Sequence, residues 1–195
     1  MKRFLLIVPL TMAVSWIASA QETTIPIPIF NAGFEADVLP CAPGANCWNS
    51  AVPAWLPAWL PSGFAGTIKP GTAQYSGGIP GGVNVAFLGN SQQNGVIFQT
   101  LSATLQANTI YILKLSVGHR ADEAFTGYLA TLLAGGVPVA FDSSLSPAAG
   151  TFLEDVIVYK SGPNPVLLGQ LLAISIRSVG TGQVNIDNVS LTATQ

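Results

Sequence analysis

Near the C-terminus, the run Val184-Asn-Ile-Asp-Asn-Val-Ser-Leu191 breaks its own rhythm. Val184 and Ile186 share one strand parity, whereas Val189 and Leu191 share the other. The apolar phase therefore slips at Asp187-Asn188, which a β-bulge explains. With Val189 and Leu191 facing inward, regular alternation carries Asp187 inward with them. A carboxyl group in such a place requires a cation, strong hydrogen bonds or a raised pKa. Asp187 is thus the first candidate for chemistry. At the other end of the chain, Asn31-Ala-Gly-Phe-Glu35 places an Asn and a carboxylate in a turn. Between the two, Val117 to Phe125 (VGHRADEAF) gathers His119, Arg120, Asp122 and Glu123 in an otherwise charge-poor chain. The plain reading is a solvated loop with an Arg–Asp pair of little energetic worth. The sharper one is a cation site or a pocket rim through Asp122 and Glu123. No G-x-S-x-G elbow accompanies the many serines, which argues against a serine hydrolase.

Two further groups bear on a site. Ala51 to Ser62 (AVPAWLPAWLPS) carries Trp55 and Trp59 among three prolines, shortly after Trp48. Either these rings anchor a surface loop in the core, or they form an aromatic platform for a sugar or an apolar ligand. Cys41 and Cys47 bracket Ala-Pro-Gly-Ala-Asn, a turn-rich loop. In an oxidising compartment they pair as a disulfide; two free thiols are the alternative. No adjacent His activates a thiolate, so the pair reads as structural.

The N-terminus supports that compartment. Met1-Lys2-Arg3 is a short basic head, Phe4 to Ile17 is largely apolar, and Ala18-Ser19-Ala20 has the small-x-small form of a signal-peptidase site. Residues 1–20 are expected to be a signal peptide, leaving residues 21–195 as one secreted or periplasmic domain. Nothing later in the chain is long and apolar enough to span a bilayer as a helix. With 7 basic and 9 acidic residues in 195, no basic stripe exists for a nucleic acid. The 49% hydrophobic content excludes an intrinsically disordered chain.

The elements that must position these residues are strands. Thr109 to Val117 alternates, with Tyr111, Leu113, Leu115 and Val117 on one face. Phe125 to Leu133 and Val137 to Phe141 flank Gly135-Gly136, a two-residue hairpin signal. Val83–Leu88, Val96–Leu101, Phe152–Tyr159, Leu171–Ser178 and Val184–Thr192 are further strands. Pro26 and Pro28 confine Ile25 to Ile29 to a sheet edge. Short strands separated by Gly, Pro, Asn and Ser, with no amphipathic helix, predict an all-β antiparallel jelly-roll β-sandwich.

The two end motifs together, "NAGFE" and "IDNVSL", resemble the bracket of carbohydrate-binding-module-like jelly rolls. That resemblance implies a structural Ca²⁺ held by Glu35 and Asp187 with backbone carbonyls, a hard-oxygen set that suits calcium; Asp122 is the candidate for a second calcium site. A closer resemblance covers almost the whole mature chain. "NAGFEADVLP", "VPAW", "GTAQYSGGIPGGVNVAFLGN", "QTLSATLQANTIYILKLSVGHR", "GYLATLLAGG", "SPAAGTF" and "VNIDNVSL" stand in the order found in hapalindole-type (Stig) cyclases. These are secreted, calcium-binding jelly rolls that turn an indole isonitrile terpenoid into polycyclic alkaloids. Their reaction is similar to an acid-promoted Cope rearrangement followed by cation cyclisation. The resemblance implies Asp187 as general acid and Phe87 and Phe125 as pocket aromatics that stabilise positive charge through their π-faces. The chain departs from the family at Phe87, where a Tyr is expected, and in the Cys41–Cys47 and Trp-Pro segments. The two resemblances compete for Asp187, because an acid carries a proton whereas a calcium ligand is ionised. Three functions stand open: a cyclase, a non-catalytic module for glycans or apolar molecules, and an envelope or matrix protein. The expected partner is a small apolar molecule or a glycan, with a homodimer open.

Overall fold

The computed structural model describes residues 22–41, 46–57 and 64–195. The expected signal peptide and Trp59 lie outside them. Twelve strands build two antiparallel sheets among the described residues, an all-β jelly-roll sandwich. The strands are β1 (Thr24–Ile27), β2 (Cys47–Asn49), β3 (Leu56–Pro57), β4 (Ala65–Lys69), β5 (Val85–Leu88) and β6 (Val96–Thr104). They continue as β7 (Ile110–His119), β8 (Tyr128–Ala134), β9 (Val137–Asp142), β10 (Thr151–Lys160), β11 (Leu171–Ser178) and β12 (Val184–Thr194). One sheet runs β10-β7-β12-β5-β4-β2, with β1 added against β12; the other runs β3-β6-β11-β8-β9.

Alternation sets which face each strand buries. In β7, Tyr111, Leu113, Leu115 and Val117 are buried, while Ile110, Ile112, Lys114 and Ser116 on the opposite parity are only partly covered. Each such side chain contributes about 1.5–3 kcal/mol by leaving water. These residues meet Leu132 of β8 and Ile174 of β11 in the shared core between the sheets. Gly135 (φ 57°) and Gly136 (φ 81°) close the β8–β9 hairpin in the left-handed region that such a turn demands. β1 pairs with β12 alone, Thr24 opposite Thr194 and Ile27 opposite Leu191, the edge position its prolines require.

β12 is the strand that matters most for the site. On one side it pairs with β7; on the other it meets β5 through Val184–Ile186 and then β1. Its register to β7 shifts between Asp187, opposite Ser116, and Ser190, opposite Lys114, so β12 carries one extra residue there. Asn188 takes the left-handed conformation (φ 49°) that absorbs it. The expected bulge is present, but its effect on Asp187 is the reverse of the expected one. Val184, Ile186, Val189 and Leu191 all lie in the core between the sheets. The bulge flips the parity in between, so Asp187 turns to the outer face of the seven-stranded sheet, together with Asn185.

Candidate functional site

The outer face of the seven-stranded sheet is covered by the loop between β4 and β5, and this cover creates the site. One transverse row crosses β10, β7, β12, β5 and β4 as Phe152, Gly118, Asn185, Phe87 and Gly66. The two glycines make room for the rings beside them. A Cβ on Gly66 would sit 2.6 Å from Phe87, and one on Gly118 would sit 2.3 Å from Phe152. Ile68, Val85 and Phe87 form a second apolar cluster here, with Phe64, Ile79 and Phe152 packed on it. In the middle, the Tyr75 hydroxyl donates to Asn185 Oδ1 at 2.7 Å, and its ring lies 4.5 Å from that of Phe152. Asn185 Nδ2 donates to the Ala86 carbonyl at 3.2 Å.

Asp187 lies one strand repeat from Asn185 on the same face and is fully buried, at 0% exposure. Its Oδ1 accepts the Asn188 N–H at 2.7 Å, and its Oδ2 accepts the Gly81 N–H at 3.0 Å. Burial pushes its carboxyl up to about 7; the two N–H donors oppose that rise, and the nearby charge of Glu35 adds to it. Glu35 reaches the same loop from the N-terminal turn. Its Oε1 accepts the N–H groups of Val83 and Asn84, both at 2.9 Å. Gly82 is open to this approach, since a Cβ there would meet Glu35 Oε1 at 2.1 Å. The two motifs from opposite ends of the chain are joined directly as well, by the Val189 N–H donating to the Ala32 carbonyl at 2.9 Å.

An aromatic slot opens beside Phe87. The rings of Trp48, Phe64 and Phe87 meet at centroid distances of 5.1–5.8 Å. With Ile68, Asn90, Arg120, Glu123 and Gln183 they line a cavity of about 130 Å³. A separate depression of about 370 Å³ lies along the loop between β4 and β5, lined by Tyr75, Ile79 and Val83 among others. Arg120 is 8% exposed. Its Nε and Nη2 clasp the Asp122 carboxylate at 2.9 and 2.8 Å, and its Nη1 donates to Gln183 Oε1 at 2.8 Å. The Arg120 hydrogen bonds are the main cause holding the Asp122 carboxyl below the usual range, and Gln74 assists.

The structure thus brings together some of the expected residues and separates others. Glu35, Asp187 and Phe87 share the loop-covered face. Asp122 is committed to Arg120, and among the described residues no three His, Cys, Asp or Glu side chains group as a metal site. Phe125 does not line the slot; its ring lies 5.3 Å from that of His119 and packs against the main core. Trp55, expected as a ligand platform, is 2% exposed. It packs on Phe34 with its Nε1 donating to the Asn31 carbonyl at 3.2 Å, so it anchors its loop and offers no face to a sugar. Cys41 and Cys47 are joined as a disulfide. Sequence reasoning missed Phe64, Tyr75, Asn185 and Gln183 as parts of the site, whereas Arg120 and Glu123 lie in the charged loop it singled out. Asn185 was detectable, because it shares parity with Asp187 within one strand. Tyr75 lies in an irregular Gly-rich loop and left no periodic signal.

The donor set near Glu35 bears on calcium. Asn84 is buried; its Nδ2 donates to the Asp37 carbonyl at 2.8 Å, while its Oδ1 has no hydrogen-bond partner. A buried carbonyl oxygen without a donor, on a residue whose backbone N–H reaches the Glu35 carboxylate, is hard-oxygen chemistry of the kind calcium takes. Glu35 and Asn84 are the residues whose oxygens match that chemistry.

An antiparallel jelly roll with an aromatic slot and a buried carboxyl on one sheet face defines the class. The chain belongs to the HpiC1-like cyclase family, whose model matches residues 25–192. It is similar to a Stig cyclase, Fisc from Fischerella sp. TAU, solved in complex with (3Z)-3-(1-methyl-2-pyrrolidinylidene)-3H-indole, at 29% identity and a TM-score of 0.75 over 88% of this chain and 98% of that one. A cyclase from the same organism in complex with 4-(1H-indol-3-yl)butan-2-one matches at 29% identity and a TM-score of 0.72, over 87% and 97% of the two chains. TmCBM61 in complex with beta-1,4-galactotriose shares the fold, with a TM-score of 0.50 and 9% identity over 85% of this chain and 97% of that one. No curated protein matches the chain.

Proposed function

We propose that this chain is an exported small-molecule cyclase that binds an indole-bearing terpenoid on the outer face of its seven-stranded sheet, with Asp187 as the acid. The observation that carries the reading is the placement of Asp187 on the same sheet face as Phe87, one strand repeat from the Asn185 that pairs with it, under the loop before β5. A slot of about 130 Å³ suits a flat ring rather than a whole terpenoid. In the proposed step the Asp187 carboxyl O–H gives its proton to the substrate and leaves a carbocation. The cation closes a ring, and loss of a proton returns one to the carboxylate. The faces of Phe87, Phe64 and Trp48 stabilise the positive charge in passing. Asp187 lies beneath Gly81, so the reaction requires the Gly77–Gly82 stretch to lift from Oδ2. Tyr75 and Asn185 position the floor of the site through their hydrogen bond.

For calcium we propose Glu35 and Asn84 as the ligating residues, with Asp187 outside the coordination. The ion would neutralise Glu35 and tie the N-terminal turn to the loop before β5. An ion shared with Asp187 would hold that carboxyl ionised and abolish its acid role.

Titration calorimetry with 4-(1H-indol-3-yl)butan-2-one tests the pocket. Wild type is expected to bind saturably, and Phe87→Ala roughly tenfold more weakly, since an aromatic pair contributes about 0.5–1.5 kcal/mol beyond its buried area. Binding of beta-1,4-galactotriose without binding of the indole would overturn the proposal in favour of a carbohydrate-binding module.

A further inference from the structure

Trp48 supplies one wall of the aromatic slot, yet burial does not fix it there. The residue is 55% exposed and meets Phe64 and Phe87 by ring edges only. Its place is therefore set by its backbone, β2, which is weak by itself. β2 is three residues long and ends the sheet, pairing only with β4 through Cys47–Lys69, Trp48–Ile68 and Asn49–Thr67. A strand that short, hydrogen-bonded along one edge, opens readily unless something else ties it down.

Two ties do so, and both run to the same segment. Cys47, next to Trp48, is bonded to Cys41. Asn49, on its other side, donates through Nδ2 to the Asp37 carboxylate. The segment that receives them is itself pinned: Asn31 donates through Nδ2 to the Pro53 carbonyl at 2.8 Å, and Glu35 accepts two N–H groups of the loop before β5. The disulfide is thus a link from a fixed turn to the exposed side of the slot. Its sequence separation is only 6, so closing the loop adds less to global stability in the chain-entropy model than a longer loop would. Its local effect is concentrated at β2, where Cys47 itself lies.

We propose that the Cys41–Cys47 disulfide is a positioning clamp for Trp48, which makes ligand affinity at the aromatic slot depend on the oxidised state of the protein. The ligand half of this statement rests on the pocket assigned above; the clamp half does not. Opening the clamp takes a dithiol reductant: its thiolates break the S–S bond by exchange, leaving two protein thiols and the oxidised, cyclic reductant.

The test compares the oxidised full-length protein with the dithiothreitol-reduced, alkylated protein and with a Cys41→Ser/Cys47→Ser variant. Amide hydrogen exchange read by mass spectrometry is expected to rise about tenfold or more in Cys47–Asn49 in both altered forms, with β7 and β12 unchanged. Affinity for 4-(1H-indol-3-yl)butan-2-one is expected to fall roughly 3- to 10-fold, as suits the loss of one edge-on aromatic wall. Unchanged exchange in Cys47–Asn49 overturns the clamp. Exchange that rises equally in β7 and β12 also overturns it, since the bond is then a staple of the whole fold. Faster exchange at β2 with equal affinity overturns the dependence of binding on the bond. If the oxidised protein does not bind the indole at all, the pocket assignment fails, and the exchange measurement still decides the clamp.

Discussion

Asp187 is held between two preferences. Its two N–H donors favour a carboxylate, whereas burial and the charge of Glu35 favour the acid and push it up to about 7. A group whose folded pKa lies above its unfolded value, near 3.9, adds stability below the unfolded value and loses it as pH rises through the folded one. Stability is therefore expected to fall between about pH 4 and 7, by at most about 4 kcal/mol from this group. Asp155, beneath the Tyr128 hydroxyl, is raised chiefly by burial and contributes with the same sign, while the lowered Asp142 contributes with the opposite one. The difference between wild type and Asp187→Asn isolates the first group. Denaturant melts in EDTA across pH 4–9 should show a steeper downward slope in wild type than in Asp187→Asn. With millimolar calcium the slope should persist if Glu35 and Asn84 hold the ion. Its reversal would place Asp187 among the ligands. The burial of Asp187 and the bulge beside it were legible in the sequence, because the parity slip marked them. The direction of Asp187 was not: a bulge reverses the side chains after it, and counting from Val189 backwards ignores the reversal.

The strands divide by how they are covered. β7, β11 and the β8–β9 hairpin were legible because each shows alternation or a glycine turn that a half-buried strand requires. β2, β3 and β4 were not. β4 is buried on both faces over Ala65–Ile68, so it shows no alternation, and Gly66 within it reads as a breaker although it seats Phe87. β8 begins at Tyr128, later than the expected Phe125, because Gly127 (φ 105°) turns the chain first. That displacement also explains why Phe125 faces His119 and not the slot. The bulge in β12 yields its own prediction. Asn188 has φ 49°, a conformation costing roughly 1–2 kcal/mol for residues other than Gly, Asn and Asp. Asn188→Val should lower the urea stability by about that much or more, and Asn188→Gly should change it by under about 1 kcal/mol. Equal stability of all three would show that the backbone at this position is not constrained.

On the scale of the whole molecule, one sandwich presents two different surfaces of its larger sheet. The inner face is a continuous apolar core, and the outer face is a built site under the loop before β5. The fold alone serves binding modules and enzymes alike. What distinguishes this chain is the set on its outer face: Trp48, Phe64 and Phe87 around the slot, Asn185 and Asp187 on the floor, and Glu35 reaching in from the opposite end of the sequence. The most direct test of the account is product formation from an indole isonitrile terpenoid by the oxidised, calcium-loaded protein. Wild type, Asp187→Asn and a no-protein control are compared by liquid chromatography with mass spectrometry. Wild type is expected to form a cyclised product. Asp187→Asn should retain binding and form it about 10²–10⁴-fold more slowly, the usual contribution of a general acid. Equal rates from wild type and Asp187→Asn, or no product above the control from folded wild type, would contradict the account.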